Sequence, residues 1–148
     1  IIQPDFIRVH ATGIKLESKL GEFVRDGSFT LQSEEEIVIE QKLFLQQLHE
    51  MDSYYVNEHI VNLLLEVRGN LRTEKQEMLS TIDRFLTLPP DERLLFTVGR
   101  RLNIFFRLDD LKKPKLHQKA GESLQQILSK NPHVDFAALC NYVRQSQI

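Results

Sequence analysis

The sequence predicts an all-α protein, a right-handed helical bundle of six or seven helices with armadillo- or HEAT-like stacking. Apolar residues recur at spacings of three and four along most of the chain, which is typical of amphipathic helices. No segment alternates apolar and polar residues as a half-buried strand does. The predicted connections are short, which favours antiparallel neighbours. We expect one compact domain, made of an N-terminal helical extension (1–32) and a helical core (33–148).

The first half of the chain carries four predicted helices. A short one covers residues 5–10, and a second ends at Asp26 and Gly27. A capping box of Ser33 and Glu36 is predicted to begin the third helix. In such a box the side-chain oxygen of each residue accepts a hydrogen bond from the backbone amide of the other. Its predicted buried stripe is Ile37, Phe44, Leu45 and Leu48.

The fourth predicted helix begins after Ser53 and ends near Gly69. Its apolar residues are Val56, Ile60, Val61, Leu64 and Val67. Because the run around Leu64 leaves little polar face, this helix is expected to be central in the bundle.

The second half of the chain carries the remaining predicted helices. Thr73 and Gln76 form a second predicted capping box, for a helix with inward residues Met78, Leu79, Ile82, Phe85 and Leu86. Pro90 is expected to begin the next helix, in which Gly99 indicates a kink or close packing. The apolar pattern of this helix continues to Phe106. Two further helices are predicted around residues 116–128 and after a cap at Asp135.

Composition excludes several kinds of site. The single cysteine, Cys140, cannot form an internal disulfide and is expected to be a buried thiol, not a nucleophile. The histidines lack metal-ligand spacing, and His49 with His59 is the nearest pair, so no metal and no cofactor are expected. Nucleotide-binding and nucleophile-elbow motifs are absent, so the sequence predicts no enzyme. No apolar run is long enough to cross a bilayer.

Charge is distributed unevenly along the chain. Residues 22–58 contain nine acidic and two basic residues, whereas residues 93–119 contain eight basic and two acidic residues. Two interpretations remain open: solvated faces of opposite sign, or a binding module with two charged sides.

The candidate binding site is the basic and aromatic stretch from residue 97 to residue 115. Its predicted partner-binding residues are Arg100, Arg101, Ile104, Phe105, Arg107, Lys112, Lys113 and Lys115. Helical spacing would set Arg101 one turn before Phe105, and arginine with an aromatic ring is a frequent anchor for a bound peptide. The alternative keeps Phe105 in the core. Residues 112–115 fit a solvated loop, a nuclear import signal or a phosphate-contacting patch equally well.

A longer pattern runs through the second half of the chain. The leucine-rich helix around Met78 leads to Leu88 and Pro89, then to Gly99 and Arg100, then to a charged loop at 109–115 and to Ala120 with Leu124. This order resembles the TFIIS N-terminal domain, a helical bundle of transcription elongation factors. The segment 55–61 is similar to the Iws/Spn branch of that superfamily.

The resemblance implies a nuclear protein-interaction domain without catalytic activity. Its expected partner is a short segment of an Spt-family histone chaperone and elongation factor, with RNA polymerase II machinery and histones as further candidates. That segment would be disordered before binding and would carry aromatic and acidic residues. The alternatives are nucleic-acid binding through the basic residues 93–119 and a generic helical scaffold.

Overall fold

The computed structural model of the chain describes residues 4–49 and 51–147. Within these residues the protein is mainly helical and also contains a small three-stranded sheet. The helices are α1 (Lys19–Arg25), α2 (Glu34–Gln47), α3 (Lys75–Leu86), α4 (Pro90–Arg101), α5 (Pro114–Lys130) and α6 (Phe136–Gln145), with a 3-10 helix at Leu108–Lys112. The strands are β1 (Phe6–Arg8), β2 (Tyr54–Val56) and β3 (Gly69–Asn70).

The sheet corrects the all-α prediction in two places. Residues 5–10 were expected to be helical, but they contain β1, which pairs in parallel with β2 with Ile7 opposite Tyr55. β3 pairs with β2 in the antiparallel sense. Local apolar spacing cannot reveal such pairing, because β1 and β2 are almost fifty residues apart in the sequence.

The prediction of a central helix after Ser53 is wrong. The chain forms β2 and then a series of turns up to β3. Two asparagine side chains replace helical hydrogen bonds here: Asn57 Nδ2 donates to the Leu64 carbonyl at 2.7 Å, and Asn62 Nδ2 donates to the Val9 carbonyl at 2.9 Å. Asparagine competes with helix formation in this way. The apolar residues Val61, Leu63, Leu64 and Val67 are nevertheless buried, as expected for a central segment.

α2 begins as predicted but turns a different face inward. Ser33 and Glu36 form both bonds of the capping box. Leu45 is fully buried, whereas Phe44 is 42% exposed. The buried positions are Glu34, Val38 and Leu45, which places a carboxylate inside the protein at the first turn of the helix.

The capping box predicted at Thr73 is absent from α3. Glu74 is the N-cap residue, and its side chain makes no capping bond. The Asn70 side chain instead accepts hydrogen bonds from the backbone amides of Arg72 and Thr73, at 2.9 and 3.2 Å. This asparagine turn uses the Thr73 amide, one of the two donors that the box would have satisfied. Met78, Ile82 and Phe85 are buried, as predicted.

α4 begins at Pro90 as predicted but ends earlier than the apolar pattern suggests. Asn103 adopts a left-handed backbone conformation with φ of 56°. The amide of Ile104 donates to the Gly99 carbonyl at 2.8 Å, and the amide of Asn103 donates to the Arg100 carbonyl at 3.2 Å. These are the two bonds of a Schellman motif, which closes a helix. α4 therefore ends at Arg101, and the predicted continuation of the helix to Phe106 is wrong.

The last two helices agree with the sequence. Pro114 stands at the start of α5, and the Asp135 side chain caps α6 by accepting from the amides of Ala137 and Ala138. A single apolar cluster joins α2, α3, α4, α5 and the turns after β2.

Candidate functional site

The structure divides the predicted partner-binding residues into two groups. Arg100, Arg101, Ile104 and Phe105 are buried, whereas Arg107, Lys112, Lys113 and Lys115 are exposed. Buried side chains cannot contact a partner at the surface. The predicted site is therefore not brought together on one exposed face.

Phe105 belongs to the core. After the turn at Asn103, its ring returns to pack against Gly99 and stacks on Phe96 with centroids 5.9 Å apart. Its exposed fraction is 0%. The interpretation of Phe105 as an exposed anchor is therefore wrong, and the core alternative is confirmed. The close packing suggested by Gly99 is confirmed as well.

Arg101 is held inside the protein by a carboxylate. Its Nε and Nη2 donate to the two oxygens of Glu34 at 3.0 and 2.6 Å. Nη2 also donates to the Val61 carbonyl at 2.9 Å. Arg144 of α6 donates through Nη1 to the same Glu34. One buried carboxylate thus joins the start of α2 to the ends of α4 and α6.

Arg100 lies beside this network without a carboxylate partner among the described residues. Its Nη2 donates to the carbonyls of Ile60 and Asn62 at 3.0 and 3.2 Å. Burial, together with the neighbouring charge of Arg101, lowers the pKa of Arg100 to about 10. Even this lowered pKa leaves the guanidinium protonated at neutral pH.

The three arginines carry more positive charge than Glu34 neutralises. They stand in the last turns of α4 and α6, where the helix dipole favours cations. Some donors are nevertheless left over: Arg100 Nε and Nη1, Arg101 Nη1 and Arg144 Nε are buried and have no hydrogen-bond partner in the described part of the chain. Unpaired buried donors of this kind are costly and call for an explanation.

A cavity of about 470 Å³ lies next to this cluster. One wall is the extended segment 9–14, which we call the strap. Two buried asparagines hold the strap in place. Asn62 accepts from the Ala11 amide at 2.7 Å, and Asn141 accepts from the Ile14 amide at 2.8 Å and donates to the Ile14 carbonyl at 3.0 Å.

The lining of this strap cavity changes from its inner wall to its rim. The buried lining residues are Ile14, Val38, Tyr55, Asn57, Asn62, Leu63 and Arg144, and the exposed ones are His10, Thr12, Phe29, Gln32, Glu40 and Phe44. The inner wall is thus mostly apolar and includes one guanidinium, while the rim combines two phenylalanines with polar groups.

Tyr55 is the largest aromatic residue of the inner wall. Its hydroxyl accepts from Gln41 Nε2 at 3.1 Å, and burial raises its pKa to about 12. The Phe44 ring lies 6.5 Å from the Tyr55 ring, so the aromatic surface continues from the inner wall to the rim.

Two ion pairs join the two charged segments. Glu34 and Glu35 of the acidic segment contact Arg101 and Arg93 of the basic segment, at 2.6 and 3.1 Å. Within the basic segment, Lys112 and Lys113 contact Asp109 and Asp110 at 2.8 and 2.7 Å. These pairs involve only part of each segment, and both interpretations of the charge asymmetry stay predictions.

Arg107 and Lys115 remain on the surface. Arg107 lines a polar cleft of about 250 Å³ together with Glu66, whose pKa is raised by burial. The cleft holds acidic and basic side chains side by side, so it does not form a continuous basic surface.

Other reactive side chains do not converge. Cys140 is buried, as predicted, and burial raises the pKa of its thiol to about 12. His59 stacks on His10 with centroids 4.4 Å apart. In the described residues, no group of three or more His, Cys, Asp or Glu is placed to hold a metal ion. No helix in 4–49 or 51–147 combines the length and apolarity that a bilayer span requires.

Sequence reasoning missed Glu34 and Arg144. Glu34 entered only as one of the acidic residues of segment 22–58, and Arg144 was not singled out. The available signal was spacing: Arg144 follows Cys140 by four residues, so both lie on the same face of α6. A polar residue on the face of a buried cysteine indicates an internal partner.

Comparison of the chain with models of known families, with curated proteins and with solved structures found no match. The resemblance to TFIIS N-terminal domains therefore stays a prediction.

Proposed function

We propose that this chain is a protein-interaction domain that binds a short segment of a partner protein in the strap cavity. The observation that carries this proposal is the cavity itself: about 470 Å³ with a mostly apolar inner wall and a few fixed polar groups. Ligand sites in proteins have this size and this composition. An apolar or aromatic side chain of the partner would occupy the inner part.

The surroundings of the cavity favour a polypeptide over a small metabolite. Among the described residues, six of the thirteen exposed large apolar side chains lie between positions 16 and 44: Leu16, Phe23, Phe29, Ile39, Leu43 and Phe44. Phe29 and Phe44 belong to the cavity rim. Exposed apolar side chains at the mouth of a cavity are typical of interaction sites, and a peptide can cover the rim as well as fill the cavity.

The narrower hypotheses rest on the resemblance alone. They are a nuclear elongation factor, an Spt-family ligand, and right-handed armadillo- or HEAT-like stacking of the helices. The proposed segment retains the predicted chemistry of that ligand, a disordered stretch with aromatic and acidic residues. The binding site differs, because the strap cavity replaces the stretch from residue 97 to residue 115.

The test is a selection of random short peptides on phage with the wild-type protein, followed by synthesis of an enriched peptide. Its affinity is measured by fluorescence anisotropy for wild type and for Phe44→Ala and Phe106→Ala. The two phenylalanines are matched in exposure, at 42% and 49%, but Phe44 lines the cavity and Phe106 follows the basic helix α4. We expect Phe44→Ala to weaken binding by at least about tenfold and Phe106→Ala to change it little.

Two results would contradict this function. Loss of binding with Phe106→Ala alone would place the site near the basic residues, as first predicted from the sequence. A selection without any enriched peptide would remove the peptide-binding function. Thermal melting of each variant shows whether a loss of affinity comes from unfolding, which neither half-exposed position should cause.

A further inference from the structure

Arg144 is the one charged residue on the buried inner wall of the strap cavity as the structure describes it. It is only 2% exposed, and its Nη1 donates to Glu34. Its Nε has no partner among the described residues. No hydrogen bond of Arg144 Nη2 is found among the described residues either, so the edge formed by Nε and Nη2 is left for an acceptor other than Glu34.

That edge has the shape of a carboxylate site. A guanidinium presents two parallel N–H groups, which match the two oxygens of a carboxylate. Glu34 uses the same arrangement on Arg101, where Nε and Nη2 contact one oxygen each. A second carboxylate on Arg144 would repeat this pairing next to the first.

The local charge also favours a single negative charge. The cluster holds Arg100, Arg101 and Arg144 against Glu34, so it retains a positive excess in the protein interior. An incoming carboxylate reduces this excess and supplies the missing acceptor. A phosphate carries nearly two negative charges and would be repelled more strongly by Glu40 at the rim.

We propose that the bound segment carries a carboxylate, which Arg144 holds at the inner wall while an apolar side chain of the same segment fills the cavity. This inference rests on the proposed function. The carboxylate has two possible sources, an aspartate or glutamate side chain or the C-terminus of the ligand chain. Both present the same pair of oxygens to Arg144.

The experiment uses the selected peptide and its neutral forms with the wild-type protein. Each acidic residue is changed in turn to its amide, Asp to Asn or Glu to Gln, and the C-terminus is amidated in a separate peptide. We expect one of these changes to weaken binding by at least about tenfold, because a charge-assisted hydrogen bond is lost inside the protein. If a side-chain amide weakens binding, the bound carboxylate belongs to that aspartate or glutamate. If the C-terminal amide weakens binding, it is the C-terminal carboxylate of the peptide.

Protein variants assign the effect to Arg144. Arg144→Lys keeps the charge but loses the paired N–H groups. It should therefore weaken binding of the acidic peptide and leave the affinity for the neutral form unchanged. If Arg144→Lys does not fold, the test uses the wild-type protein instead and follows the Arg144 Nε–H signal in ¹H–¹⁵N spectra. We expect this signal to shift with the acidic peptide and not with its neutral form.

Failure of the inference is distinct from failure of the function. If all neutral peptides bind within about twofold of the parent and Phe44→Ala still weakens binding, the carboxylate is refuted and the cavity remains a peptide site. If the acid is needed but neither Arg144→Lys nor the Nε–H signal responds, Arg144 is refuted as its partner. If no peptide binds the cavity, function and inference both fall.

Discussion

Gly99 shows how a single residue leaves room for the chain to fold back after α4. A methyl group at this position would come within 2.3 Å of the Phe105 ring, far inside van der Waals contact. The ring therefore depends on the missing side chain to reach its place against Phe96. Phe105 would otherwise have to leave the core.

The Gly99→Ala variant should be destabilised by about 1–3 kcal/mol, because overpacking outweighs the better helix propensity of alanine. Urea denaturation measures the change. Gly121→Ala in α5 is the matched control, since nothing lies within 4 Å of its added methyl group, and it should be as stable as wild type or slightly more stable. Equal stability of both variants would show that the ring does not need Gly99.

Glu34 is the residue on which the buried arginines depend. It pairs with both Arg101 and Arg144, and its side chain is only 4% exposed. Removing its charge would leave both guanidiniums in the interior without a carboxylate.

We therefore expect Glu34→Gln to lower the free energy of unfolding by about 3–5 kcal/mol, the range for breaking a buried ion pair. The adjacent Glu35 pairs with Arg93 at the surface, with its side chain 45% exposed. Glu35→Gln should lower the free energy of unfolding by less than about 1 kcal/mol. A similar loss in both variants, measured by chemical denaturation, would contradict a special role for the buried network.

Helices with local start and stop signals could be predicted from the sequence. Ser33 with Glu36, Pro90, Pro114 and Asp135 each satisfy or spare backbone donors close to the helix start, so a short stretch of sequence is sufficient. The helix ends were harder. Asn103 closes α4 because it tolerates a left-handed conformation, a role in which glycine is the more common signal.

Elements made by distant partners could not be predicted. β1 exists because β2 lies beside it. The turns after β2 are held by Asn57, which bonds to the Leu64 carbonyl, and by Asn62, which bonds to the distant Val9 carbonyl. The candidate site shares this origin. Arg144 lies more than a hundred positions from Glu34, and no pattern within α6 names that partner.

The 3-10 helix after Phe105 is held by one carboxylate. Asp110 accepts from the amides of Phe106 and Arg107 at 2.8 and 3.0 Å and from Lys113 Nζ at 2.7 Å. Burial by itself disfavours the charged form of Asp110, but these hydrogen bonds outweigh burial and lower its pKa below the ordinary value of 3.8.

The sign of the pH dependence follows from that lowered pKa. The folded state holds the proton of Asp110 less tightly than the unfolded state, so the carboxylate stabilises the fold above about pH 4. This stabilisation is lost as the pH falls through the pKa of the folded state. Asp110→Asn should therefore be less stable than wild type at pH 7, and the difference should shrink in acid.

Chemical denaturation of both proteins from pH 7 to pH 3 measures this difference. Gly121→Ala changes no titratable group, so its difference from wild type should stay constant over the same range. A difference between Asp110→Asn and wild type that does not change with pH would mean that the Asp110 charge does not hold the 3-10 helix.

At the scale of the whole molecule, charges far apart in the sequence bring the two halves together. The pairs Glu34 with Arg101 and Glu35 with Arg93 join α2 to α4. Some charges of the acidic and basic segments therefore stabilise the fold by pairing with each other. The exposed Phe29 and Phe44 at the rim of the strap cavity take no part in this pairing.

The strap depends on the opposite end of the chain. Asn141 in α6 is 3% exposed and bonds to both the amide and the carbonyl of Ile14, across 127 positions of sequence. Gln145 also donates to the Ile14 carbonyl. One wall of the cavity is therefore positioned by the last helix.

Asn141→Ala should loosen the strap and reduce the stability of the fold by about 1–3 kcal/mol, because the Ile14 amide loses its only partner in the described structure. Hydrogen exchange of the Ile14 amide should accelerate more than exchange in the α4 core. Binding of the selected peptide should weaken with it. Tyr142→Ala, at the neighbouring position that is 70% exposed, is the control and should change neither exchange nor binding. If Asn141→Ala accelerates exchange at Ile14 but leaves peptide affinity unchanged, the strap is not a wall of the binding site, and the ligand occupies the rim alone.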